Sequence, residues 1–469
     1  MTGPGRRHAG KDGGVAGNGH LSGRRGEVRV GSRRLEGLVQ SSNGSAASAI
    51  PSVPILVLKQ RRDLFHHGGL AISRSAGALG IEVVRVQEHR WAPCSFSRYG
   101  RGVRMLPEGA SSDQWLEYLL ELGGELGRAV LVPIDDVGAV FVDDHASDLR
   151  QHFLFPERPP ELSRRLADKR QMHDLCLELG IPTPRCVFPE SEGDVIAHGR
   201  EGELPVVVKR IDGWHPSRDP QAPSVIIAHS PEELVGAYRR MESDQAPNVM
   251  LQEYIPGGSE SIWMFNGYFN ERSECLFGAT GRKLRQQGPR TGPTTLGECV
   301  ASQPVEEATK RLAQAHGYRG IIDIGFRYDR RDDTYKLLDV NPRIGGSFRL
   351  FVGENGMDVA RALYLDLTGQ PVPPTKPRYG RRWLVEPYDT VASLQLARAG
   401  ELGLPGWAGS LRGVQEAAWL AWNDPLPFLA MAVRMLLLLP ARRSSRRAAA
   451  RMSAAPAPER EAPVATGAR

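Results

Sequence analysis

Asp339, Asn341 and Arg343 alternate along the stretch Leu337-Leu338-Asp339-Val340-Asn341-Pro342-Arg343-Ile344-Gly345-Gly346-Ser347. On an extended chain, residues i and i+2 point to the same face. A carboxylate and an amide oxygen on one face suit a hard cation such as Mg²⁺, and an arginine beside them can neutralise phosphate. The apolar run stops at Pro342, which has no N–H for a sheet ladder, so the segment reads as a strand ending in a loop. Gly345 and Gly346 let the backbone approach a ligand closely. Upstream, Asp323 lies in Gly320-Ile321-Ile322-Asp323-Ile324-Gly325-Phe326-Arg327-Tyr328, and the turn-like Asp329 to Asp333 leads back into Thr334-Tyr335-Lys336. The two runs read as a hairpin that brings Asp323 and Asp339 onto neighbouring strands. Directly opposed carboxylates repel unless something cationic sits between them. The pattern favours a site for two cations bridging phosphates. The plainer alternative is a strand followed by a polar turn.

Further cations sit where a phosphate would explain them. Lys209 ends the apolar run Leu204-Pro205-Val206-Val207-Val208. A lysine there is costly unless paired, so a phosphate partner accounts for it; a side chain that snorkels to solvent is the alternative. Arg282, Lys283 and Arg285 follow Gly278-Ala279-Thr280-Gly281 and could contact a terminal phosphate or an acyl phosphate, or form a solvated basic turn. Val249 to Glu260 reads as a strand ending in a segment, Tyr254-Ile255, whose backbone can pair with adenine while Ile255 offers an apolar face. Gly257-Gly258 allow the turn between Glu253 and Glu260. Asn266-Gly267 is a strong hairpin signal, so Ser261 to Phe265 is expected to pair with the run from Tyr268 onward. Lys169 opens a helix after Asp168 and, taken alone, reads as a surface lysine.

In order, Lys169, Lys209, Glu253 with Glu260, Asp323, then Asp339-x-Asn341-Pro342-Arg343 with Gly345-Gly346-Ser347 resemble the ATP-grasp superfamily of carboxylate–amine ligases. Asp168-Lys169, a helix, and Gly180-Ile181-Pro182-Thr183-Pro184 resemble the entry to its nucleotide-binding domain. Ser97-Arg98-Tyr99 resembles a tripeptide that marks the N-terminal domain of D-aspartate-ligase-like members. The resemblance covers about residues 54–440. It implies an α/β and α+β protein, an ATP-grasp fold with an N-terminal Rossmann-like domain. It implies that Lys169 and Lys209 contact nucleotide phosphates, that Glu253, Tyr254, Ile255 and Glu260 hold adenine and ribose, and that Asp323, Asp339 and Asn341 hold Mg²⁺, with Mn²⁺ as an alternative. Arg343 would hold the acyl phosphate or the carboxylate, and Lys283 or Arg282 would contact the γ-phosphate or the acyl phosphate. The implied reaction joins a small carboxylate to an amine, with an amino acid as a substrate, and releases ADP and phosphate. Asp339 stands where the family usually has Glu, which keeps the charge with about one methylene less reach. Residues 211–224 hold Gly213 alone where relatives carry a glycine-rich phosphate lid, so either His215 and Arg218 substitute or coverage is weaker. The alternatives are a non-catalytic ATP-binding protein, or a peripheral membrane-associated protein of the same fold with weak membrane-surface contact through its basic tails.

A chain of 469 residues with 41% hydrophobic and 24% charged residues is expected to be a soluble globular protein of two or three domains. The net charge of +6 comes from the ends, since residues 1–50 and 441–469 are rich in arginine and the body between them is net negative. A basic balance of that origin does not point to nucleic acid. The expected order is a disordered tail over 1–50, a Rossmann-like domain over 51–160, the ATP-grasp domain over 161–375, a C-terminal helical extension over 376–440 and a disordered tail over 441–469. Val53 to Leu58, a helix from Ala71 to Gly80, and Ile81 to Val86 form the βαβ unit behind the second of these. Ala129 to Ile134 delivers Asp135 and Asp136 to the sheet's ligand edge, either as site residues or as a helix N-cap. Five scattered cysteines without a CxxC pair predict neither a zinc site nor a disulfide framework, and no apolar leader is present, so a cytoplasmic setting is expected. Phe428 to Leu439 is too short to cross a bilayer and reads as a packing helix, or as a membrane-surface helix helped by the arginines after it.

Overall fold

The computed structural model describes residues 53–60, 65–87, 91–100, 103–105, 109–288 and 291–437. The two tails expected to be disordered lie outside these residues. The first sheet is parallel, in the order β3-β2-β1-β4-β5: β1 (Ile55–Leu58), β2 (Val83–Gln87), β3 (Val103–Met105), β4 (Ala129–Pro133) and β5 (Phe153–Leu154). β1 and β4 are unbroken apolar runs because both faces are covered. Leu56, Leu58, Val84 and Leu131 pack on Trp115 and Leu119 of helix Ser112–Leu126. Ile55, Val57, Val83 and Val132 pack on Ile72 and Ala76 of helix Gly68–Gly77. The strand order changes direction between β1 and β4, and ligands in open α/β sheets bind outside the carboxyl ends at such a point.

The second sheet is antiparallel, β6-β9-β7-β8: β6 (Cys186–Val187), β7 (Val206–Arg210), β8 (Val225–Ala228) and β9 (Val249–Glu253). Alternation splits its faces. Val206, Val208, Val249 and Leu251 bury against Leu234, Ala237 and Met241 of helix Pro231–Met241. Val207, Lys209 and Gln252 face the other way, into a cavity.

The third sheet has seven strands in the order β14-β13-β10-β11-β12-β15-β16. They are β10 (Ile262–Phe269), β11 (Cys275–Gln286), β12 (Thr294–Cys299), β13 (Gly320–Asp329), β14 (Thr334–Asn341), β15 (Arg382–Leu384) and β16 (Val414–Ala417). Phe265, Phe269, Ile322, Ile324 and Phe326 pack on helices Lys169–Glu178 and Gln303–Ala315. The opposite face joins the first sheet through Tyr268, Ile321, Phe348, Val359 and Leu363, which share one core with Ile55 and Val57.

Two expectations are corrected here. Asn266-Gly267 is not a turn: β10 runs straight through it, pairing Asn266 with Ala279 on one side and Asp323 on the other. The turn comes later, where the Asn270 side chain accepts from the N–H groups of Arg272 and Glu274, and Ser273 has a φ of 58°. Gly267 is glycine because a Cβ would lie 2.5 Å from the Phe265 ring, a packing demand that mimics a turn signal. The segment 376–440 is likewise not only helical, since it supplies β15 and β16 to the large sheet.

Candidate active site

A cavity of about 570 Å³ lies where the three sheets meet. Val207, Val225, Ile227, Tyr254 and Ile255 give it an apolar end. Lys209 stands next to that end, buried, its Nζ donating to Gln252 Oε1 at 2.9 Å. Burial lowers the Lys209 ammonium to about 8, with Asp339 pulling the other way and Lys169 adding to the drop. Lys283 also reaches the wall and donates to the Gly292 carbonyl at 2.8 Å. Its pKa is lowered by burial against the attraction of Asp339 and Asp323. The neighbouring cations left open by the sequence are committed elsewhere. Arg282 pairs with Glu298 at 2.9 Å, and buried Arg285 pairs with Asp389 at 2.8 Å.

The β13–β14 hairpin forms the polar end. Its register sets Asp323 opposite Asn341 and Gly325 opposite Asp339, so the two carboxylates stand diagonally and not face to face. Two glycines make the room they occupy. A Cβ on Gly325 would lie 2.6 Å from Asp339 Oδ1, and one on Gly345 would collide with the Asp323 carboxylate. Burial pushes the Asp323 carboxyl up to about 6; Arg343 opposes this and Asp339 adds to it. The Asn341 Nδ2 donates to Asp339 Oδ2 at 3.1 Å, while its Oδ1 accepts from Arg343 at 3.0 Å. Arg343 also donates to Asp136 Oδ1 at 3.0 Å and lies 3.6 Å from Asp323. Burial works against its charge, but Asp136 and Asp323 outweigh burial and raise its pKa. The pair after β4 therefore divides its roles. Asp135 caps the next helix by accepting from Gly138 N–H at 2.9 Å, and Asp136 reaches across to the hairpin.

Among the described residues no group of three or more His, Cys, Asp or Glu side chains could hold a metal ion. Two carboxylates with an adjacent amide nevertheless fit Mg²⁺, which keeps waters and binds through one or two carboxylates shared with substrate phosphates. The glycine-made space around both carboxylates fits the same reading.

Several expected residues lie back from the cavity wall. The Glu253 carboxylate is taken by Lys336 at 3.1 Å and by Arg185 at 3.3 Å, leaving its backbone in β9 next to Tyr254. Lys169 caps nothing itself; Asp168 caps its helix, and Lys169 Nζ lies 3.5 Å from the Ile211 carbonyl. Glu260 accepts from Gly258 N–H at 3.3 Å. In the 211–224 loop, Asp212 accepts from Trp214 N–H, His215 N–H and His215 Nδ1, and Arg218 pairs with Asp244 at 2.6 Å, so neither His215 nor Arg218 faces the cavity. Sequence reasoning passes over Gln252, Arg327 and the pair His66-His67, all of which line the wall. His66 and His67 follow β1 at the ligand edge of the parallel sheet, the one signal that could have marked them. Burial, with further contributions from His67, Lys59 and Arg343, holds the His66 pKa well below its usual range. The Ser-Arg-Tyr tripeptide serves as an anchor, because Ser97 Oγ and Arg98 N–H both donate to buried Asp424, at 2.7 and 2.9 Å.

No protein-family model matches the chain. Among solved structures it is similar to the biotin carboxylase domain of a 2-oxoglutarate carboxylase from Hydrogenobacter thermophilus, determined with MgADP and bicarbonate, with a TM-score of 0.52, 16% identity, and 70% of this chain and 73% of that one covered. An L-amino acid ligase from Bacillus licheniformis gives a TM-score of 0.50 at 16% identity, covering 70% and 75%. The fold is therefore the ATP-grasp fold that these structures share. In sequence it is 24% identical over 286 residues to a D-aspartate ligase from Enterococcus faecium, covering 58% of this chain and 67% of that protein.

Proposed function

We propose that the protein activates a small carboxylate with ATP as an acyl phosphate and joins it to an amine, with an amino acid on at least one side. The observation that carries this reading is the convergence of Lys209, Lys283 and Arg343 with Asp323 and Asp339 on one cavity that also has an apolar end. The apolar wall around Ile255 suits adenine, and the β9 backbone beside it can pair with the base edge. Lys209 and Lys283 would hold phosphate oxygens, where charge-assisted hydrogen bonds count most. Asp323, Asp339 and Asn341 would hold Mg²⁺, or Mn²⁺, which when bound neutralises phosphoryl charge. Asn341 Oδ1, which accepts from Arg343, would be available to a cation if Arg343 turned to a substrate oxyanion. A carboxylate oxygen of the substrate then forms a bond to the γ-phosphorus as the bond to the ADP oxygen breaks. The amine next attacks the acyl carbon, the carbon–oxygen bond to phosphate breaks, and the amine proton leaves to solvent or to a neighbouring base.

The test is release of ADP and phosphate by the purified full chain with MgATP and amino acids supplied in pairs. Release that needs one particular acid and one particular amine supports the ligase. A second reading, nucleotide binding without turnover, rests on the 211–224 loop, whose His215 and Arg218 are tied to Asp212 and Asp244. ATP binding with no release under any pair would favour it.

A further inference from the structure

The last described helix, 426–437, is apolar on both sides. Phe428, Met431 and Met435 pack inward with Trp383 and Trp419. At about 100° per residue, Leu426, Leu429, Val433, Leu436 and Leu437 fall on the opposite face within an arc of roughly 100°. All five face solvent, at 53% to 72% exposure. Trp422, just before the helix, is 91% exposed, and Trp91, whose carbonyl accepts from Arg434 at 2.9 Å, is 61% exposed. This face is held firmly. Asp424 fixes the entrance of the helix by accepting from Ser97 Oγ, Arg98 N–H and Arg74 Nε at 2.7, 2.9 and 2.9 Å.

A globular surface rarely offers a contiguous apolar stripe unless something covers it. The chain that follows the helix indicates what does. It reads Ala441-Arg442-Arg443-Ser444-Ser445-Arg446-Arg447, and residues 441–469 hold seven arginines against two acids. A second copy on this face would bring two such runs of like charge together. An anionic lipid surface would instead take the leucines among acyl chains and the arginines among headgroups, with the tryptophans at the boundary. No helix among the described residues is long and apolar enough to cross a membrane. We propose that helix 426–437 and the arginine run after it dock the protein onto an anionic bilayer surface, lying in the interface without spanning it.

Co-sedimentation of the full chain with phosphatidylcholine vesicles, with and without about a third phosphatidylglycerol, tests this. The wild type should sediment with the anionic vesicles only, and high salt should weaken binding. Replacing Leu429, Val433 and Leu436 together by Glu should lower the bound fraction at least about tenfold, with the melting temperature kept because all three are exposed. Replacing Arg442, Arg443, Arg446 and Arg447 by Ala should do the same, and decides the matter if the glutamate variant folds poorly. Equal partitioning of wild type and either variant would overturn the proposal. So would no binding to anionic vesicles, or a wild-type dimer in light scattering that the glutamate variant converts to monomer. None of these readouts depends on ligase turnover.

Discussion

Lys209 is the side chain on which pH should act most directly. Burial lowers its ammonium to about 8. The charged form, which under the proposed function would bind phosphate, dominates below that value, and the neutral form dominates above it. ATP affinity measured by calorimetry should therefore fall as the solution passes from about pH 7 to about pH 9. Lys209→Gln should lose about tenfold to a hundredfold in affinity and show a flatter pH profile. A wild-type affinity that does not change over that range would remove Lys209 from the phosphates. Asp339→Asn keeps size and removes charge, so turnover should drop at least about a hundredfold while the melting temperature stays near wild type. Retained turnover would sink the metal assignment. At this scale, the residues that were legible broke a local rule: a lysine ending an apolar run, or carboxylates on adjacent strands. His66 and His67 broke none, and only the place of β1 in the sheet brings them to the cavity. Glu253 looked available because Lys336 and Arg185, which close on its carboxylate, are far away in sequence.

Among the elements, β1, β2, β4 and the β13–β14 hairpin were readable because their apolar runs and turns are local, whereas β3 and β5, three and two residues long, were not. Asn266-Gly267 misled because glycine answered a tertiary demand, the Phe265 ring, in the middle of a central strand. β15 and β16 were hidden for the complementary reason. They are three and four residues long, and pairing with β12 and with each other makes them strands. The Ser-Arg-Tyr segment yields a test of its own. Asp424 is 2% exposed and is the common acceptor for Ser97, Arg98 and Arg74. Asp424→Ala should lower the unfolding free energy in urea by about 3 to 5 kcal/mol, because it leaves buried donors unpaired. A loss below about 0.5 kcal/mol would show that the tripeptide does not anchor the C-terminal segment.

Across the whole molecule, the site exists because three sheets from distant parts of the chain meet. The parallel sheet brings Asp136 and His66, the four-stranded sheet brings Lys209, and the seven-stranded sheet brings Lys283, Asp323, Asp339 and Asn341. Arg343 joins the first to the third through Asp136 and Asp323. Arg343→Ala should therefore weaken both catalysis and the union of the two sheets, whereas Arg343→Lys, with one cationic contact restored, should recover stability more than turnover. The central claim is that a carboxylate is activated by taking the γ-phosphoryl group. With the acid and amine that support phosphate release, the carboxylate oxygens can be labelled with the heavy isotope and the released phosphate analysed by mass spectrometry. The expected result is transfer of a single labelled oxygen to each phosphate, with ADP as the other product. Amide formation with unlabelled phosphate, or with label in AMP, would contradict it.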